Sequence, residues 1–567
     1  MIRQLDVDGV PTLLAPTAGP MRAGLTFRVG TADETLPRRG ITHLLEHLAL
    51  APLGLADYHY NGTTASTWTS FYMQGSEADI AGFLTALCRT IHDLPIARLE
   101  VEKEILRTES SSRGKPAARD IPLWRYGARD HGMVSFAEFG LPTLTEHDLR
   151  YWAANWFTRE NAVLWIAGDR VPAGLRLALP TGVRQPVPAA SSALPQTPAY
   201  FANGSRAVVL DSVVRRRTAA SVFGDVLERE MFRSLRQEDG LSYAITTAYE
   251  PRGDGYASLR ALADALPEKQ DAVLGGFIDV LAKLRVGRIE QADLDAALAQ
   301  REDSLAGAEV DADRLPSCAL NLLTGEPNRT VDELRAELKA VTLADLHEVV
   351  QEVHSSALLM VPECHTADWA GFTEAPTCST HAVTGTGYQE RVGEGQLVVG
   401  VDGVSYVGPG GPQTVRYAEC AAILAWPDGA RRLIGYDAIS VHVEPTLYDL
   451  HPGAIHLIDQ QVPADRRLPM PARPPEQIPQ PYAAVNRRQS PQPSAPVQRV
   501  WWEIPVMAVS ALATLGLGGI SLLLTVSMFL ADESDGDDGS LWGVIVVCWV
   551  LTVILALPIV LVRRRRR

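Results

Sequence analysis

Three residues within one short stretch could together bind and use a metal ion. The stretch His43-Leu44-Leu45-Glu46-His47 has the order H-x-x-E-H. On a helix, His43 and His47 lie four residues apart, so both imidazoles project from one face and can share a zinc ion. Glu46 could reach a water molecule on the same metal and take its proton as a general base. The alternative is an amphipathic helix with two ordinary histidines.

A catalytic zinc needs a third protein ligand, and a glutamate pair further along the chain can supply it. Glu102 and Glu109 are seven residues apart, which is two helical turns, so they share one face of a helix. We interpret Glu109 as the third ligand and Glu102 as a residue one layer out that steers a ligand or the water. The alternative is a charged, solvent-facing helix that also carries Lys103 and Arg107.

These residues together resemble the M16 metallopeptidases, the group of pitrilysin, insulysin and the mitochondrial processing peptidase. The resemblance includes the approach to the motif, Val29–Glu34 and Arg39–His43, and the E-x6-E pair. It also includes Asn61-Gly62-Thr63-Thr64, which is similar to the family's Asn-Ala-x-Thr segment and implies that Asn61 binds substrate. The interval from His47 to Glu109 is shorter than in the family, which we interpret as a shortened loop between Leu50 and Asn61.

A second segment is similar to the R-x6-Y element of the same family. It runs from Leu235 to Tyr243 and implies that Arg236 and Tyr243 hold the substrate backbone and stabilise the tetrahedral intermediate. A guanidinium and a phenol can both donate hydrogen bonds to a developing oxyanion. Without the zinc motif, the segment would be a polar turn between a helix and a strand.

The order of predicted elements indicates an α+β fold with two related halves. Residues 1–180 and 201–370 each run through strands and helices in a similar order, with a Pro/Ala/Ser-rich linker at 181–200. We expect residues 1–30 to form one hairpin that turns at Thr17–Pro20. The family resemblance covers residues 1–370 and implies two sandwich-like domains that form one lobe.

A full protease chamber in that family needs two lobes, and this chain carries one. The resemblance therefore implies a homodimer, or a heterodimer with a related subunit. Arg236 and Tyr243 would then face the zinc of the neighbouring subunit.

The remaining residues predict a small β domain, a tether and a membrane hairpin. Residues 385–460 alternate short strands with turns, similar to a pleckstrin-homology or GRAM module, or an unrelated β domain. Residues 461–499 are rich in proline. Residues 504–531 and 541–562 contain no charge and are long enough to span a bilayer. The basic tail 563–567 and the acidic loop between the spans predict that the N-terminal bulk and the C-terminus are cytoplasmic, at the cell membrane.

Composition narrows the classes of function. The 567 residues carry a formal net charge of −15, which argues against nucleic acid as the main partner. The six cysteines are scattered, as in proteins of a reducing compartment.

The sequence thus predicts a membrane-anchored zinc metalloendopeptidase that cleaves peptides or unfolded segments. Two rivals stay open: a non-catalytic peptide-binding subunit and a membrane-anchored adaptor.

Overall fold

The computed structural model describes residues 1–54, 59–112 and 117–481. Within these residues the chain folds into three parts, which follow one another in sequence and are each built on their own sheets. The first part is built on a six-stranded sheet in the order β1-β2-β6-β3-β5-β4. Its strands and helices are β1 (Arg3–Val7), β2 (Val10–Ala15), β3 (Met21–Phe27), α1 (Ile41–Leu50), β4 (Tyr60–Thr64), β5 (Thr69–Gly75), α2 (Glu77–His92), α3 (Leu99–Ser112), α4 (Ile121–Tyr126), α5 (Glu146–Trp156) and β6 (Ala162–Ala167). Apolar residues of α1, α2 and α5 pack with the sheet in one core.

The second part repeats this arrangement. Its strands and helices are β7 (Ala199–Asn203), β8 (Ala207–Arg215), α6 (Thr218–Met231), β9 (Ile245–Pro251), β10 (Tyr256–Asp264), α7 (Gln270–Arg285), α8 (Gln291–Ser304), α9 (Val310–Thr324), α10 (Val331–Ala340), α11 (Leu343–Ser355), β11 (Leu358–Pro362) and β12 (Thr373–Glu374). The order β7-β11-β8-β10-β9 has the same chain connectivity as β2-β6-β3-β5-β4 of the first sheet, and the central strand pairs run in the same directions.

Helix α9 joins the two parts. It belongs to the second part by sequence, but its buried residues Leu315 and Ala319 pack with Leu13, Val163 and Trp165 of the first sheet. The carboxylate of Glu309, just before α9, accepts a hydrogen bond from the backbone N–H of Ala18 at 2.7 Å. The first sheet is therefore covered by its own helices on one face and by α9 on the other.

The third part has two four-stranded sheets and a helix. Its elements are β13 (Gly385–Gln389), β14 (Gln396–Gly400), β15 (Gly403–Gly408), β16 (Gly411–Arg416), β17 (Cys420–Ala425), β18 (Arg431–Gly435), β19 (Ser440–Val443), α12 (Pro452–Gln461) and β20 (Arg467–Pro469). The expected all-β domain at 385–460 is corrected, because α12 contributes Ala454 and Ile458 to its core. The predicted tether at 461–499 also begins too early, since β20 pairs with β17.

The expected hairpin at residues 1–30 is wrong. The chain turns earlier, at Asp8 and Gly9, whose φ values of +53° and +85° suit a tight turn between β1 and β2. Strands β2 and β3 do not pair with each other, because β6 lies between them, parallel to β2 and antiparallel to β3.

The predicted membrane hairpin and the localisation derived from it are corrected as well. Among residues 1–54, 59–112 and 117–481, no helix is long and apolar enough to cross a membrane. The longest helices of these ranges, α2 and α7, have 16 residues each, against the roughly 20 that a bilayer requires. The predicted spans 504–531 and 541–562 lie outside the described residues. The described chain is a mixed α/β fold with several sheets, and we withdraw the membrane anchor and the assignment to the cell membrane.

Candidate metal centre

Helix α1 presents the H-x-x-E-H residues from a rigid position. Its other face carries Leu44, Leu45 and Leu48, which are fully buried in the first core. The N-terminus of α1 is held by the Glu34 carboxylate, which accepts hydrogen bonds from the backbone N–H groups of Gly40 at 3.0 Å and Thr42 at 2.9 Å. A carboxylate at this end satisfies donors that have no partner within the helix and suits the helix dipole.

The structure brings His43, His47 and Glu109 together. Glu109 Oε2 lies 3.7 Å from His43 Nε2 and 3.6 Å from His47 Nε2. One ligand atom from each of the three residues lies within 4.8 Å of the others. Ligand atoms arranged tetrahedrally at zinc–ligand distances of ~2.1 Å would lie about 3.4 Å apart. Two imidazoles and a carboxylate at this spacing fit a zinc ion with little adjustment.

Two further carboxylates lie next to the other nitrogen of each imidazole, and that of Glu138 is within hydrogen-bond distance. Glu138 Oε1 lies 2.8 Å from His43 Nδ1, and Glu102 Oε2 lies 3.5 Å from His47 Nδ1. Arg98, which directly precedes α3, fixes Glu102 by donating two hydrogen bonds of 2.9 and 2.7 Å to its carboxylate. Such partners set which nitrogen of a histidine faces a metal and how its ring is oriented.

The pKa of His43 depends on its burial and on the carboxylates next to it. Burial acts to lower the pKa of His43, but the hydrogen bond and the negative charge of Glu138 outweigh it, so that the pKa is raised overall. The carboxylates around His43 thus favour the positively charged form of its ring.

Glu46 is buried next to the three candidate ligands. Its Oε2 accepts a hydrogen bond of 2.6 Å from Thr64 Oγ1 in β4. Burial raises the pKa of Glu46, only partly offset by Thr64 and the neighbouring histidines. A carboxylate with a raised pKa is better suited to accept and later return a proton near neutral pH.

The strand β4 lies beside Glu46 at the edge of the first sheet. Gly62 of β4 makes a close approach possible, because a Cβ at this position would lie 2.7 Å from Glu46 Cγ and Oε1. Asn61, the predicted substrate-binding residue, is exposed on the same strand, and its side chain accepts a hydrogen bond from the Gly62 N–H at 2.9 Å. The segment 61–64 is thus next to the candidate base, with Asn61 pointing away from the buried side.

A cavity of about 800 Å³ opens at the candidate metal centre. Its lining includes His43 and Glu109 from the first part of the chain and Asp211, Arg252 and Arg260 from the second. The volume lies within the usual range for ligand pockets. Two of the three candidate ligands, His43 and Glu109, can therefore be reached from a space between the first two parts.

Arg236 and Tyr243 do not lie in this cavity. Among the described residues that line it, the contributions of the second part come from β8 to β10 and α9. Arg236 lies in a π-helical segment, Phe232–Glu238, and its guanidinium is 4.6 Å from the centre of the Tyr243 ring. The Tyr243 residue is 76% exposed. The two residues contact each other but are not brought to the metal centre of their own chain.

Sequence reasoning missed several residues that support the centre. Glu138 follows no motif and lies in an irregular segment between α4 and α5. Glu34 and Thr64 were part of the segments that resemble the family, but neither was assigned a role. Only the three-dimensional structure reveals the contacts of Glu34 with α1, of Thr64 with Glu46 and of Glu138 with His43.

Comparison with known proteins yields similarity in structure but none in sequence. No family model matches the chain. No curated protein matches its sequence either. The structure is similar to a protease from Helicobacter pylori, with a TM-score of 0.54, 16% identity, and coverage of 64% of this chain and 99% of that one.

Two further solved structures show the same fold. A peptidase M16 inactive domain from Pseudomonas fluorescens has a TM-score of 0.53 and 15% identity, over 64% of this chain and 98% of that one. The first half of the periplasmic protease PqqL from Escherichia coli has a TM-score of 0.52 and 14% identity, over 65% of this chain and 92% of that one. At these identities the likeness establishes an M16-like fold, which active and inactive domains share.

Proposed function

We propose that this chain is a zinc-dependent metallopeptidase that hydrolyses peptide bonds in peptides or unfolded segments. The observation that carries the proposal is the convergence of His43, His47 and Glu109, with Glu46 buried beside them. The same four residues occupy an M16-like fold, and solved structures of that fold include proteases. An inactive M16 domain has the same fold, so the site residues, not the fold, support catalysis.

The chain's own residues divide the chemistry between them. His43, His47 and Glu109 would hold zinc, which supplies Lewis-acid activation of a water molecule and of the peptide carbonyl. Glu46 accepts a proton from the attacking water and delivers it to the leaving amine. The edge strand β4, next to Glu46, can pair with an extended peptide and align its scissile bond.

The proposal is tested by measuring metal and turnover in the same samples. We expect about one zinc per chain by elemental analysis, and cleavage of a quenched peptide library. The Glu109→Gln variant should lose most of both, because an amide oxygen is a weak zinc ligand. Glu104→Gln, on the exposed face of the same helix, is the matched control and should retain both. A metal-loaded chain that cleaves no library peptide would favour the non-catalytic peptide-binding subunit.

We further propose that the active assembly is a dimer, with itself or with a related subunit. Arg236 and Tyr243 contact each other outside the cavity of their own chain. Residues that serve the centre of a neighbouring subunit would have such a position. In a homodimer, mixing inactive His43→Ala and inactive Arg236→Ala chains should restore partial activity, because mixed dimers hold one complete centre. No recovery after verified exchange of subunits would contradict the homodimer with shared sites.

A further inference from the structure

Of the described carboxylates that act on His43, Glu46 lies in α1 and Glu109 in α3, whereas Glu138 lies in an irregular segment. It belongs to the irregular segment 127–141, hereafter the Glu138 loop, which contains one short 3-10 helix at Asp130–Ser135. Its Oε1 is 2.8 Å from His43 Nδ1 and 3.6 Å from Arg39 Nη1. A hydrogen bond at Nδ1 leaves Nε2 of His43 directed at Glu109.

The Glu138 loop contacts the N-terminal side of α1 closely. Arg39 Nε donates a hydrogen bond of 3.0 Å to the Met133 carbonyl, and the Gly140 N–H donates one of 3.1 Å to the Arg39 carbonyl. The backbone of Gly40 has a φ of +103°, and a Cβ at this position would lie only 2.9 Å from Glu138 Cβ. The position of the Glu138 carboxylate therefore depends on how the whole loop is seated.

The third part of the chain covers the outer side of this loop. The Ala128 N–H donates a hydrogen bond of 2.9 Å to the Tyr436 carbonyl, and a Cβ on Gly127 would lie 2.0 Å from the same oxygen. The Arg129 guanidinium lies 5.8 Å from the centre of the Tyr436 ring. The two backbones are thus in direct contact at the start of the loop.

An apolar cluster extends this contact. Leu36, Ala128 and Met133 of the first part pack with residues of the second sheet of the third part, namely Ala421, Ala422, Leu424, Ile434 and Leu468. Ile423 and Leu433, the chain neighbours of Leu424 and Ile434, point to the third part's own core instead. The sheet therefore has two buried faces, one of which is used for docking on the Glu138 loop and on Leu36.

We propose that the third part, residues 385–470, holds the Glu138 loop in place and thereby sets the zinc affinity of the centre. Glu138 is the positioning residue through which this docking acts on His43. The inference rests on the proposed zinc site, and it assigns a role to the β sheets that the peptidase chemistry itself does not require. A partner that displaced this docking face would lower the zinc affinity without touching any ligand.

Zinc affinity of the full chain, measured by competition with a chromophoric chelator, tests the inference. Glu138→Ala should weaken zinc binding about 10- to 100-fold. Glu138→Gln should retain most of the affinity, since its amide oxygen still accepts the Nδ1–H hydrogen bond. A merely structural role of Glu138 would not distinguish these two variants in this way.

The docking face is tested with matched substitutions in the third part. Leu424→Asp, and the milder Leu424→Ala, should weaken zinc binding and speed amide hydrogen exchange in residues 127–141. Val401→Asp is the control, because Val401 is 75% exposed on the same part and should leave both readouts unchanged.

The outcomes separate this inference from the proposed function. Wild-type chain that takes up zinc, with Glu138→Ala or both Leu424 variants within twofold of it, would overturn the inference alone. Wild-type chain that takes up no zinc would overturn the inference and the proposed function together.

Discussion

The capping of α1 by Glu34 gives a prediction whose size follows from the structure. The Glu34 side chain is fully buried, and its carboxylate binds two backbone N–H groups and the Arg39 guanidinium at 2.9 to 3.0 Å. Replacing Glu34 with Ala leaves two buried backbone donors and a buried guanidinium without this partner. Losing one member of a buried ion pair costs about 3–5 kcal/mol. We expect a value near the lower end, because Glu138 lies 3.6 Å from Arg39 and offsets part of the lost charge.

The matched variants make this prediction quantitative. Glu34→Gln keeps one acceptor oxygen and should cost about 1.5–3 kcal/mol, the usual range for hydrogen bonds to charged groups. Glu104→Ala removes an exposed ion pair with Arg107 and should change the free energy of unfolding by less than about 1 kcal/mol.

The assay is urea unfolding of the metal-free chain at pH 7, followed by circular dichroism. The variants should rank Glu104→Ala, Glu34→Gln and Glu34→Ala in increasing loss of stability. Glu34→Ala with the stability of Glu104→Ala would refute the view that this carboxylate fixes the start of the motif helix.

Two more predictions concern the surroundings of the candidate centre. Burial lowers the pKa of His131 to about 4, with the positive charge of Arg252 adding to the effect. The pKa of His131 is lower in the folded chain than in the unfolded chain, where it is about 6.5. The stability that neutral His131 allows is therefore complete above pH 6.5 and is lost as the pH falls toward 4. Between pH 7 and pH 5, the free energy of unfolding of His131→Gln should therefore fall by about 2 kcal/mol less than that of wild type, as measured by urea titrations. An equal fall in both proteins would contradict this. Gly62→Ala should keep zinc but reduce kcat ~100-fold by displacing the Glu46 carboxylate, whereas Gly82→Ala, which meets nothing within 4 Å, should match wild type in peptide hydrolysis.

Local patterns in the sequence were sufficient for the elements that carry the candidate ligands. The spacing of His43, Glu46 and His47 and the pair Glu102 and Glu109 predicted two helices, and these form as α1 and α3. Helical periodicity is a property of neighbouring residues, so it can be read without knowledge of the fold. The likeness between the two halves was also visible as a repeated order of strands and helices.

What depends on distant contacts could not be predicted in this way. Glu138 lies 95 residues from His43, and nothing in its neighbourhood in sequence marks it as a partner. Helix α9 belongs to the second half in sequence but packs on the first sheet, against the apolar surface of Trp165 and its neighbours. The hairpin at Asp8-Gly9 is a different case, because this dipeptide is a strong turn signal that was overlooked within one long predicted strand.

The predicted membrane hairpin was based on the length of two apolar runs and on their lack of charge. Freedom from charge over 20 or more residues makes a span possible, but it does not show that a helix forms. The helices of the described residues are short, with at most 16 residues each, and the two longest, α2 and α7, pack on the sheets. The third part shows a similar limit, since its strand pattern did not reveal that α12 completes the core.

The Glu46→Gln variant tests the central claim most directly, because it removes the proposed base and leaves the three candidate ligands in place. Its zinc content and its peptide hydrolysis should be measured on the same preparation beside wild type. The proposed chemistry predicts about one zinc per chain in both proteins and a turnover at least ~100-fold lower in the variant. Full turnover in Glu46→Gln, or wild-type chain that hydrolyses peptides without bound zinc, would contradict it.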